Sequence, residues 1–201
     1  GPRDPGGIPF ATGPEEERWA RVAAAPAGGF VAVWSRSAGG AGYEVVARAL
    51  DAGGEPFGSV RAVSGLEPFA PVPDVACGGG GCLAAWRADG AGGGDLQGRF
   101  LTPAGEPAGA GPFPLAGGPG MEFLPRLAPD GKGYALTWLV QDAAGRALRR
   151  ARVDSSGQAI PPGGVVLGSG ETFCADPALA AWSGLVSIPV IMAQPTFLAL
   201  H

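Results

Sequence analysis

The chain has 201 residues, a length at which repeat proteins form one cooperative body, so we expect a single domain over residues 1–201. Glycine (37) and proline (21) are abundant, but 46% hydrophobic residues and five tryptophans exclude a disordered segment and indicate many short strands separated by turns. The 14 basic and 18 acidic residues form no basic stripe and no run of five like charges, which excludes a nucleic-acid partner.

The first 17 residues predict the end of a repeat unit. Residues 4–10 match residues 51–57, so the chain begins at the last turn of a preceding unit. The chain starts without Met or a signal peptide, which indicates a mature form or part of a longer chain. Glu15, Glu16 and Glu17 are expected to form a solvated turn.

Residues 18–65 are predicted to form the first complete unit of four strands. An inner strand precedes a Gly-rich hairpin, an apolar strand ends at Trp34, a third strand holds Arg48, and a weaker outer strand covers residues 59–63. Gly54 lies in the turn after the third strand, where a positive φ angle is required.

The same unit recurs over residues 66–118 and 119–169. Its tryptophans stand 52 residues apart each time. Arginine and the turn glycine also recur at nearly constant distances. The repeated positions are Trp34, Trp86 and Trp138; Arg48, Arg99 and Arg152; and Gly54, Gly105 and Gly157. We expect the arginines to pack between neighbouring sheets or on a tryptophan; ring-symmetric anion binding is the alternative.

Residues 170–201 are predicted to begin the unit that residues 1–17 end. Residues 176–181 match the first strand, but the segment lacks the tryptophan, the arginine strand and the glycine turn. Two halves of one blade would close a four-bladed ring, and an arc cut from a larger ring is the alternative. The uncharged run 185–200 contains Pro189 and Pro195, so it predicts buried strand and no membrane span.

A β-propeller explains strands that are apolar at successive positions, because stacked blades cover both sheet faces. A β-sandwich or β-prism is the rival all-β fold. The pattern resembles the tandem propeller-type repeats of secreted and surface proteins of bacteria, myxobacteria in particular. The resemblance covers residues 4–181, and it implies an extracellular or cell-surface location, with the periplasm as an alternative. It implies no particular ligand.

Two cysteines bracket four glycines in the second unit. Cys77 and Cys82 face each other across this hairpin, which predicts a local disulfide; a pair of free thiols is the alternative. A disulfide agrees with an oxidising compartment. Cys174 is then left over and is expected to be a buried, unreactive side chain.

The sequence offers no convincing catalytic apparatus. His201 is the only histidine, which excludes a Ser-His or Cys-His mechanism and a multi-histidine metal site, and we expect no cofactor. Asp74, Asp95, Asp130, Asp142 and Asp176 lie near predicted strand ends, where paired carboxylates could serve a glycosidase. The main hypothesis is a non-catalytic module that binds a glycan or a surface protein. The propeller of a secreted glycosidase and a structural spacer are the alternatives.

Overall fold

A computed structural model of the protein describes residues 9, 11–89 and 93–170, together with the backbone of 180–182 and 185–187. This part of the chain contains three four-stranded antiparallel sheets and one short hairpin. The prediction of an all-β protein built from four-stranded units is therefore confirmed.

Each sheet is a meander in which neighbours in sequence are neighbours in space. The first sheet comprises β1 (Glu17–Ala24), β2 (Phe30–Ser37), β3 (Tyr43–Leu50) and β4 (Pro56–Ala62), with a short 3-10 turn at Gly39–Ala41. The second comprises β5 (Asp74–Gly78), β6 (Gly81–Ala88), β7 (Asp95–Leu101) and β8 (Phe113–Ala116). The third comprises β9 (Met121–Pro129), β10 (Tyr134–Asp142), β11 (Gly145–Val153) and β12 (Ala159–Gly170). The hairpin joins β13 (Ala180–Trp182) to β14 (Leu185–Ser187).

The sheets stack side by side as blades do in a propeller. Strand β1 contacts β5, and β5 contacts β9, so the first strands of successive sheets lie together on the inside. Strand β13 contacts β9, on the same inner side of the third sheet. Closure into a four-bladed ring stays a prediction, and Cys174 and most of residues 171–201 lie outside the described residues.

The three repeated tryptophans occupy equivalent positions in the second strand of each sheet, and each is almost completely buried. Trp86 packs in an apolar core shared by the first and second sheets. Trp138 packs in a core shared by the second and third. Trp34 lies on the opposite face of the first sheet, in a smaller cluster with Ala32 and Val46. Trp86 and Trp138 thus face the preceding sheet, and Trp34 lies on the equivalent face of the first sheet.

The repeated arginines are not all equivalent. Arg48 pairs with Ala32 and Arg99 with Ala84, in each case two residues before the tryptophan. Arg152 instead pairs with Ala135, three residues before Trp138, so it lies on the sheet face opposite that indole. The following turn begins at the same place relative to the tryptophan's partner in all three sheets, so the arginine itself stands one residue later in the third unit.

The contacts of these arginines are structural. Arg48 donates to the carbonyl oxygen of Gly58 (3.1 Å), within the first sheet. Arg99 reaches across to the first repeat and donates to the carbonyl oxygen of Val63 (3.0 Å). Arg152 donates to the carboxylate of Asp130 (2.6 Å). They therefore form no common anion site.

The predicted disulfide between Cys77 and Cys82 is confirmed. The two residues face each other at the end of the β5–β6 hairpin. The bridge closes a very short loop, so it restricts the unfolded chain little and contributes about 2 kcal/mol or less.

A glycine pair in β12 provides a test of the packing around Trp138. Gly163 and Gly164 have nearly the same positive φ, 72° and 71°. A Cβ on Gly164 would lie 2.3 Å from the Trp138 ring and 2.8 Å from the carbonyl oxygen of Arg150, whereas one on Gly163 would approach only Arg149, at 3.7 Å. We expect Gly164→Ala to lower the free energy of unfolding by about 1–3 kcal/mol more than Gly163→Ala. Urea unfolding of both variants measures this difference, and equal losses would contradict it.

Candidate functional site

The end of the stack where the inner strands begin, called here the top end, collects most features that could carry a function. The meander places residues 63–73, residues 117–120 and the β2–β3 and β6–β7 turns at this end as well. Ligand and catalytic groups commonly lie on such connecting segments, held by a rigid scaffold.

Two inner strands carry the same irregularity near the top end. In β1, Trp19 and Ala20 together stand opposite Trp34; in β9, Leu124 and Pro125 stand opposite Trp138. The first residue of each bulge has a positive φ, 58° for Trp19 and 51° for Leu124, a conformation that costs free energy in a residue with a bulky side chain. Bulges redirect side chains, and here the Trp19 side chain is 50% exposed. An exposed indole on a strained inner strand is the clearest sign of a ligand surface.

Immediately below the bulges, one equivalent position is charged in all three sheets. Arg21 pairs with Val33, Asp74 with Ala85 and Arg126 with Thr137. Each partner is the residue just before a repeated tryptophan. The sequence therefore places an acid between two arginines on adjacent inner strands; these three residues are called here the axial triad.

Asp74 joins all three sheets. Its Oδ2 accepts a hydrogen bond from the backbone N–H of Leu127 in β9 (2.7 Å), and its Oδ1 lies 4.0 Å from Nε of Arg21 in β1. Burial raises the pKa of Asp74, although the bond from Leu127 and the charges of Arg126 and Arg21 work in the opposite direction. The cost of removing the Asp74 carboxylate from water is therefore larger than the stabilisation that these partners give its ionised form.

Glu122 and Asp95 form a pair of neighbouring acids between the second and third sheets. A Cβ on Gly117 would lie 2.9 Å from the Asp95 carboxylate, and one on Gly118 would lie 3.6 Å from Glu122, so both carboxyl groups border one glycine turn. The backbone N–H of Glu122 donates to the carbonyl oxygen of Gly94 (2.9 Å). Burial raises the pKa of Glu122, and the charge of Asp95 raises it further. This arrangement makes Glu122 a weaker acid than an exposed glutamate.

Two further glutamates lie beside repeated tryptophans. Burial raises the pKa of Glu17, whereas the adjacent Trp34 indole favours the ionised form. Burial likewise raises the pKa of Glu67, which accepts a hydrogen bond from the backbone N–H of Asp89 (2.9 Å). The expected solvated turn is thus correct for Glu15 and Glu16, which are exposed, but Glu17 is half-buried at the start of β1.

A small cleft of about 210 Å³ opens at the top end between the second and third sheets. Phe69, which is 70% exposed, stands at this cleft together with Arg87 and Asp89. The Arg87 guanidinium pairs with the Asp89 carboxylate at 2.5 Å. The top end therefore offers a second exposed aromatic ring beside a charged pair.

A larger cleft of about 850 Å³ lies at the opposite end, between the hairpins of the second and third sheets. The disulfide, the Gly78–Gly81 turn and Lys132 line it. Tyr134 spans its base and donates to the carbonyl oxygen of Gly81 (2.9 Å), and burial raises the pKa of this phenol. Turn backbone and structural contacts dominate this cleft, so we place the candidate site at the top end.

The structure locates the predicted acids at the ends of strands. Asp74 and Asp95 begin β5 and β7, Asp142 ends β10, and Asp130 follows β9, whereas Asp176 lies outside the described residues. Sequence reasoning named Asp74 as a strand-end acid but missed Trp19, Phe69 and the two arginines of the axial triad. Aligning the residue before each repeated tryptophan with its inner-strand partner would have found the triad.

The described part of the chain lacks both a metal-binding cluster and a membrane-spanning helix. In residues 9, 11–89 and 93–170, no group of three or more His, Cys, Asp or Glu side chains could hold a metal ion. No helix in the described part is long and apolar enough to cross a membrane.

Comparison with known proteins identifies a likeness at the level of structure. No family model matches the sequence, and no curated protein matches it. The GH43 endo-arabinanase from Bacillus licheniformis superposes with a TM-score of 0.50 at 16% identity, over 83% of this chain and 65% of that chain. An exo-1,5-α-L-arabinanase from a bovine ruminal metagenomic library gives 0.47 at 14% identity, over 85% of this chain and 64% of that chain.

The chain thus spans slightly less than two thirds of the length of either arabinanase. Both are β-propeller proteins. At this identity the likeness to the endo-arabinanase bears on architecture alone. Together with the three stacked four-stranded sheets, it shows that this chain has a β-propeller type of fold.

Proposed function

We propose that this chain binds a glycan at its top end, as the sugar-binding propeller of a glycosidase-type protein. The observation that carries the proposal is Trp19, whose indole is half exposed on a strained inner-strand bulge. An exposed indole offers a flat apolar face to the C–H groups of a sugar ring, while nearby charged groups can bond its hydroxyls.

Three further features support a glycan ligand. Arg21 of the axial triad lies two residues after Trp19 on the same inner strand. The Phe69 cleft adds a second aromatic ring with a charged pair. The endo-arabinanase acts on a glycan with a similar propeller, which makes arabinan the first ligand to try. The disulfide fits an oxidising compartment, so we place the protein outside the cell or at its surface.

Binding to immobilised polysaccharides, arabinan first, tests the proposal. Trp19→Ala is expected to weaken binding about tenfold or more, the equivalent of about 1.4 kcal/mol. Phe57→Ala is the matched control, because Phe57 is 49% exposed but lies at the start of the outer strand β4, near the opposite end. No binding across a broad glycan array, or binding only to surface proteins, would overturn the glycan proposal. Binding to neither class would favour the structural spacer.

Hydrolysis is the second candidate function, and the Glu122–Asp95 pair favours it. Glu122 has a raised pKa and borders the same glycine turn as Asp95, and a glycosidase uses two neighbouring acids. This candidate requires that any bound glycan be cleaved, with new reducing ends that disappear in Glu122→Gln. Binding without release of reducing ends would leave the chain a non-catalytic module.

A further inference from the structure

We propose that the axial triad recognises the carboxylate of a uronic acid residue carried by an otherwise neutral glycan. The inference rests on the proposed function and names the substrate class of the same site. It begins from an asymmetry in charge: at one equivalent position of three adjacent sheets, the inner strands carry arginine, aspartate and arginine.

The two arginines are held in the same way. Arg21 Nη1 donates to the carbonyl oxygen of Ala20 (3.1 Å), and Arg126 Nη1 donates to that of Pro125 (2.9 Å). Both acceptors are the second residue of an inner-strand bulge. In both strands the backbone of the bulge therefore holds the guanidinium in place.

Asp74 lies at long range from the Arg21 guanidinium. Two guanidinium groups act on the single carboxylate of Asp74, and both favour its ionised form. Asp74 already accepts the N–H of Leu127, and its nearest oxygen is 4.0 Å from Arg21 Nε, too long for a hydrogen bond. The Arg21 side chain is 38% exposed. A guanidinium has five N–H donors in a planar fork, so Arg21 can take a second carboxylate from a ligand in bidentate fashion.

The surroundings select the kind of anion. Other acids at the top end include Glu17, Glu67, Asp89 and Glu122, and the whole chain has a formal net charge of −4. Such a field repels a polyanion, which would have to pass many carboxylates to reach the arginines. A single carboxylate on a neutral chain meets less repulsion. Trp19 lies two residues before Arg21 on β1, so the indole and the guanidinium both belong to the top end of the first sheet.

Two matched oligosaccharides test the inference by calorimetry. One carries a single terminal glucuronate, and the other is its carboxyl-reduced counterpart with glucose at the same place. We expect the unchanged protein to bind the uronate form about tenfold more tightly at low salt, since hydrogen bonds to charged groups are stronger than neutral ones. This preference should shrink as salt is added.

Arg21→Gln should abolish the preference, so that this variant binds the uronate form and the reduced form equally. Arg18→Gln is the control, because Arg18 lies on the same strand but is exposed and paired with Glu16. Arg21→Lys keeps the charge without the planar fork and is expected to retain part of the preference, which also covers the case of a poorly folded Gln variant. Equal binding of both ligands by the unchanged protein would overturn the inference and leave the proposed function intact. Binding of neither ligand, nor of any polysaccharide, would overturn the proposed function itself.

Discussion

Replacing Trp86 by alanine is expected to lower the free energy of unfolding by roughly 3–5 kcal/mol. The indole is fully buried in the core between the first and second sheets, against Val33, Val45 and Leu101. Its loss leaves a cavity that β-sheet backbone cannot collapse to fill, and a loss of this size is a large share of the stability of a domain. Urea unfolding followed by fluorescence of the remaining tryptophans measures it.

Two comparison variants define the cause. Trp86→Phe keeps an aromatic ring in the site and should cost clearly less than Trp86→Ala. Trp34→Ala should also cost less, because the cluster around Trp34 contains only three buried residues in the described structure. Equal losses for Trp34→Ala and Trp86→Ala would mean that the outer face of the first sheet is covered as completely as the interface between sheets.

The repeat made much of the fold predictable. The constant spacing of Trp34, Trp86 and Trp138 locates one strand in each unit, and the glycine turns locate the hairpin after the third strand. Apolar residues at successive positions indicate that both sheet faces are buried, and the indoles of Trp86 and Trp138 do lie between stacked sheets. Cys77 and Cys82 were predictable because a hairpin brings its flanking residues together.

The candidate site was less predictable, because it depends on local backbone geometry as well as on residue type. The arginines that recur in sequence, Arg48 and Arg99, make structural contacts, and Arg152 stands one residue nearer the following turn than they do. The three residues of the axial triad each directly precede an aligned inner-strand pair, so the repeat alignment places them at one position. The two inner-strand bulges depend on backbone geometry that sequence spacing does not reveal.

The pH dependence of stability is expected to identify Asp74 as a buried acid that opposes folding when ionised. Burial raises its pKa above the ordinary value of 3.8, so the folded protein holds the proton more tightly than the unfolded chain does. The stability that the proton confers is complete below about pH 4 and is lost as the pH rises through the raised pKa of the folded state. Asp74→Asn keeps an oxygen that accepts the Leu127 N–H but cannot titrate. The free energy of unfolding of the unchanged protein, minus that of Asp74→Asn, should therefore fall as the pH rises from about 4 through the raised pKa of the folded state.

Asp154→Asn is the control with the opposite sign. Hydrogen bonds from the Ser156 side chain and the Gln158 backbone lower the pKa of Asp154, so its ionised form is favoured by folding. The corresponding difference for Asp154 should be fully present above the unfolded pKa and should be lost as the pH falls through the lowered one. If the two stability differences change with pH in opposite directions, burial sets the pKa of Asp74 and hydrogen bonding sets the pKa of Asp154. A flat difference for Asp74 would mean that Arg21, Arg126 and the Leu127 N–H compensate the cost of its burial completely.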